Sequence, residues 1–110
     1  MKQYVIDGIR PVDMEKIRSY VADCFENSGI DYLYWIPLDS DILSKGQASH
    51  TKCHPLCVAL ELLPERVVCE LLVRTTKRIK CSCMAYATEQ QRNWLFDLID
   101  DMLEELTLDI

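Results

Sequence analysis

Between His50 and Cys57 the chain reads His-Thr-Lys-Cys-His-Pro-Leu-Cys, which brings two imidazoles and two thiols into eight consecutive positions. A second pair, Cys81 and Cys83, follows with a single serine between them. Thiolate sulfur and neutral imidazole are the donors that suit a tetrahedral zinc ion, so a mixed site drawn from the His50–Cys57 segment and the Cys81/Cys83 strand is one reading. The set it points to is Cys53, His54, Cys57 and Cys81, with Cys83 on the same strand face as Cys81. The spacings differ from the two-residue knuckle that recurs in structural zinc sites. A second reading makes Cys53 a nucleophile with His50 or His54 as its base, although no local nucleophile signature surrounds it. The simplest reading is that the cysteines fill a core and no cofactor is held, because an unpaired cysteine behaves as a small hydrophobe.

Which reading holds depends on the elements that carry these residues. "QYVIDG" alternates and stops at Gly8, as a short first strand does. Pro11 opens a helix whose apolar positions Met14, Ile17, Tyr20, Val21, Cys24 and Phe25 recur at helical spacing, with Asn27 to Gly29 as its stop. "DYLYWIPL" is a second strand with Pro37 at its end. Residues 39–54 form a long connection, with one helical turn expected from Ser40 to Lys45, capped by Asp39 and ended by Gly46.

Three strands of an antiparallel meander follow, "PLCVALELL", "RVVCELLVR" and "RIKCSCMAY". Thr88 and Gln91 then form a capping box before a helix with a stripe of Leu95, Leu98, Ile99, Met102, Leu103 and Leu106. The order β-α-β-loop-β-β-β-α predicts a single α+β domain over residues 1–110, a largely antiparallel sheet of about five strands with helices on one face.

Side chains alternate across a strand, so turn length decides which cysteines meet. If the turns at Pro64–Arg66 and Thr75–Lys77 preserve parity, Cys57 and Ala59 share a face with Cys69, Leu71, Cys81 and Cys83. Cys24 of the first helix then points towards that face, making five of the six cysteines core residues. Cys57 and Cys81 begin strands two spacings apart, about 10 Å, so direct sharing of one ion by these two is strained.

The bulk composition narrows the function classes. At 110 residues and 49% hydrophobic content the chain closes one modest core without an obligatory disulfide or metal. A net charge of −6 opposes non-specific binding to nucleic acid or an anionic membrane. The basic cluster "RTTKRIK" reads as a solvated hairpin tip. Asp7 and Asp13 interrupt any export-signal core, which points to a reducing cytoplasm and free thiols.

The three isolated glycines and the lack of a serine triad, phosphate loop or dinucleotide fingerprint argue against an enzyme. With two helices to cover about five strands, one sheet face is left for a protein partner or for self-association as a homodimer. The expected role is thus a small protein-interaction module, with a zinc protein as the alternative.

Overall fold

The computed structural model describes residues 2–77 and 81–107. The strands are β1 (Gln3–Ile6), β2 (Glu26–Asn27), β3 (Leu33–Pro37), β4 (Leu56–Leu62), β5 (Val67–Glu70), β6 (Leu72–Thr75) and β7 (Ala85–Tyr86). The helices are α1 (Pro11–Cys24), α2 (Lys45–Ser49) and α3 (Glu89–Glu105). The class is α+β with an antiparallel sheet, as the order of elements predicts.

The seven segments occupy five positions across that sheet. β3 lies on one side of β4, while β5 and β6 share the other, as Leu60 pairs with Cys69 and Cys57 with Arg74. Between those two pairs the β5–β6 side carries two more residues than β4, a bulge around the buried Leu71 that bends one long strand into two. The outer edge of this bent strand is covered by β1 along β5 and by β7 along β6. β2 closes the far edge against β3.

Register corrects the expected side-chain parity. The hairpin pairs Leu62 with Val67, so even-numbered residues of β4 stand opposite odd-numbered residues of β5. One face therefore carries Leu56, Val58, Leu60 and Leu62 with Val67, Cys69, Leu71 and Val73, and all eight belong to the main core cluster. Cys57 and Ala59 lie on the other face with Glu61. A four-residue connection, Leu63–Arg66, closed by a bond from Leu63 N–H to the Arg66 carbonyl, imposes the odd offset.

Both long helices pack on the first face. α1 starts at Pro11, where a missing N–H costs nothing, and buries Met14, Ile17 and Val21. It ends at Cys24 because Phe25 is already extended, so Asn27 closes β2 and Ser28 and Gly29 enter the β2–β3 turn instead of forming a helix stop. Cys24 is exposed and does not face the sheet.

α3 carries the expected capping box, with Thr88 Oγ1 accepting from Gln91 N–H and Gln91 Oε1 accepting from Thr88 N–H. Leu95, Ile99 and Met102 are its buried stripe. Tyr4 on β1 donates to Asp100 at 2.7 Å and meets the tilted ring of Phe96 at 4.5 Å between centroids, and Tyr20 donates to Glu105 at 3.2 Å, so α3 is tied to both the sheet and α1. Among the described residues no helix is long and apolar enough to cross a membrane.

Candidate metal centre

The site is built from the connection that leads into β4 and from the turn that precedes β7. The long connection before β4 is more ordered than its composition implies. Asp39 caps a 3-10 turn over Ser40–Ile42 by accepting from Asp41 N–H. A new helix, α2, then follows, capped by Ser44 through its own capping box to Gln47, so Gly46 sits inside a helix instead of ending the first turn.

His50 closes α2 and opens a 3-10 turn over Thr51–Cys53, in which Cys53 N–H donates to the His50 carbonyl at 2.9 Å. Side chains three apart eclipse in such a turn, so His50 and Cys53 project from one side. Cys81 and Cys83 stand at a tight turn before β7, with Met84 N–H bonded to the Cys81 carbonyl, and not along a nine-residue strand. Of the expected strand "RIKCSCMAY", residues 78–80 lie outside the described residues.

These two turns bring four donors together. One ligand atom each of His50, Cys53, Cys81 and Cys83 lies within 4.8 Å of all the others. Tetrahedral ligands about 2.3 Å from a zinc ion stand about 3.8 Å apart, so the cluster matches that geometry to within about 1 Å. His50 Nδ1 and Cys81 Sγ are 2.8 Å apart, a hydrogen bond that zinc binding would open. Cys53 and Cys83 are buried, whereas His50 and Cys81 are half-exposed.

Of the residues singled out in the sequence, Cys53 and Cys81 belong to the cluster, and His54 and Cys57 lie elsewhere. His54 Nε2 donates to the Gln47 carbonyl at 2.7 Å, which turns the ring back onto α2. Cys57 is the second residue of β4 and faces away from the core, its thiol donating to the Pro55 carbonyl at 3.8 Å. His50 and Cys83 take their places. The three-residue step from His50 to Cys53 was the available signal, and it becomes one only when the segment is known to be a 3-10 turn.

The electrostatics favour one thiolate in advance of any ion. Cys81 is lowered to about 6, chiefly by the backbone N–H of Cys83, and further by hydrogen bonds from the Cys83 thiol, His50 and Cys53. Cys83 is raised to about 12 by burial and by donating its proton to those neighbouring sulfurs. Cys57 and Cys69, outside the cluster, are raised to about 11 and about 12, mainly by burial.

A buried amide network holds the second turn. Gln47 Nε2 donates to the Cys83 carbonyl at 3.3 Å, and Gln47 Oε1 accepts from Gln91 Nε2 at 2.8 Å. Gln91, fully buried, also donates to the Ile42 carbonyl at 3.0 Å. The two capping boxes therefore meet back to back, and the start of α3 positions both α2 and the Cys83 turn. Such outer-shell bonds fix ligand orientation.

Compared with protein-family models, with curated proteins and with solved structures, the chain has no significant match in any of the three.

Proposed function

We propose that this protein is a small zinc-binding domain in which His50, Cys53, Cys81 and Cys83 hold one structural ion. The observation that carries the reading is the convergence of four N and S donors from two chain segments some thirty residues apart. Three thiolates and an imidazole suit zinc better than harder cations. Four protein ligands leave no open position for a substrate, which favours a structural over a catalytic role.

The ion would tie the α2 turn to the turn before β7, a link otherwise made by the His50–Cys81 bond and the Gln47–Cys83 bond. Elemental analysis and native mass spectrometry test this. One zinc per chain, lost to a strong chelator and absent from a His50→Ala, Cys83→Ser variant, is expected. Protein that folds without metal and takes up none when zinc is supplied refutes it.

A separate observation supports a second, compatible role as a protein-interaction module. The sheet face opposite the helices leaves Val5 exposed and Leu33, Trp35 and Leu72 half-buried. On it, the Arg74 guanidinium stacks over Trp35 at 5.1 Å and reaches Glu70 at 3.5 Å. An uncovered face of this kind suits a protein partner or a second copy of the chain. Sedimentation at micromolar concentration, giving a dimer that Trp35→Glu dissociates, tests self-association, and a monomer for the unaltered protein excludes it.

A further inference from the structure

The cluster is not sealed from solvent. A cleft of about 360 Å³ opens onto it, lined by Ser49, His50, Thr51, Lys52, Cys53 and Cys81. Cys83 is not part of that lining, and of the three sulfurs only Cys81 is half-exposed. A structural ion needs no such access. A small reagent entering the cleft meets Cys81 first, Cys53 next, and Cys83 only through them.

We propose that Cys81 is a reaction site for peroxides, and that its oxidation to a disulfide with Cys53 releases the metal. The inference rests on the zinc reading and adds a reaction to it. The Cys81 sulfur attacks the distal oxygen of a peroxide, ROOH. An S–O bond forms, the O–O bond breaks, and the leaving oxygen takes up a proton to depart as ROH.

The Cys53 sulfur, a thiolate while it holds the ion, then attacks the Cys81 sulfenic sulfur, forming an S–S bond and expelling hydroxide, which takes a proton from solvent and leaves as water. The two cysteine sulfurs lose two electrons in total and the peroxide gains both. Having lost two of its four ligands, the ion leaves.

Cys53 is the resolving partner for geometric reasons. It shares the cleft with Cys81, and its sulfur lies within 4.8 Å, so closure to a disulfide at about 2 Å needs side-chain and small turn movements. Cys83 is separated from Cys81 by one residue in a tight turn, where a disulfide would close a strained small ring. Reductant restores both thiols, so the change is reversible.

The test uses the Cys24→Ser protein, which removes the exposed thiol outside the site. Zinc-loaded protein is titrated with hydrogen peroxide while a chromogenic chelator reports free metal and peptide mapping reports linkage. The expected result is zinc released in step with peroxide consumed, a Cys53–Cys81 disulfide, and full rebinding after reduction. Retention of zinc while peroxide is consumed overturns the proposal, as does a first disulfide that contains Cys83.

A second arm keeps the two ideas separable. In metal-free Cys24→Ser, Cys53→Ser protein, dimedone is expected to trap a sulfenic acid on Cys81 alone. Trapping on Cys83 or nowhere overturns the inference whether or not zinc binds. A chain that never binds zinc, but whose Cys81 is trapped, fails the zinc reading instead.

Discussion

Replacing Gln91 with methionine tests whether the amide network is what holds the two turns in place. Methionine nearly matches glutamine in shape, so the change removes hydrogen bonds without opening a cavity. Three groups lose a partner: the Ile42 carbonyl, Gln47 Oε1 and the Thr88 N–H. Gln47 Oε1 keeps its bond from Ser44 N–H, and the exposed Thr88 regains some water, so each loss sits near the lower end of the range for an unsatisfied group.

At about 1 kcal/mol per group, the sum is about 2–4 kcal/mol. Against a total stability of about 5–15 kcal/mol for a domain of this size, that is a large share. It corresponds to a Tm lower by about 10–25 °C. Urea denaturation in excess chelator measures it, because any metal contribution is then absent from both proteins. An unchanged slope with a loss below about 0.5 kcal/mol would show that the network carries no net stability, and would remove the reason for Cys83 being held where it is.

Four further outcomes follow from the same geometry. Gln47→Met, which frees the Cys83 carbonyl, lowers zinc affinity about 10- to 100-fold in competition with a chelator. Zinc at about 100 times its Kd raises the unfolding free energy by about 2.7 kcal/mol, and His50→Ala removes this increment, read against the variant's own metal-free urea midpoint because the change also removes the His50–Cys81 bond. In metal-free protein iodoacetamide modifies Cys24 and Cys81 first, and the buried Cys57 and Cys69, held at about 11 and about 12, wait for unfolding; zinc leaves Cys24 as the one fast site.

The fourth outcome concerns pH. Cys81 is lowered from 9.0 to about 6 in the folded chain, so its contribution is complete above about pH 9 and is lost as pH falls through 6. Cys57 and Cys69 act in the opposite sense, their contribution being present below pH 9 and lost as pH rises through about 11 to 12. The metal-free urea midpoint should therefore rise from pH 6 to 9 more steeply in the native protein than in Cys81→Ser. Equal slopes would contradict the hydrogen-bonded thiolate.

Much of this fold is written locally. Pro11 as a helix start, Thr88 with Gln91 as a capping box and the apolar stripe of α3 are all readable because helix ends and helix faces depend on residues three and four apart. The strands β1, β3 and β4, the bent β5–β6 strand and the α+β class follow from alternation and turn residues in the same way. The Ser44–Gln47 box of α2 was equally local, yet Asp39 competed as the start of a helical turn, and both proved to cap an element of their own.

The centre itself depended on tertiary structure. The chain supplies six cysteines and two histidines, but no local rule says which of them meet. The Leu63–Arg66 connection sets an odd register that moves Cys57 to the face away from the helices, and a register step of one residue reverses every side chain on a strand. Gln91, nearly fifty residues from Ile42 in the chain, anchors the approach to α2, and through Gln47 it reaches the turn that carries Cys83. Local hydrogen bonds make helices and turns legible residue by residue, whereas convergence of His50, Cys53, Cys81 and Cys83 requires the packed core to fix where separate turns end.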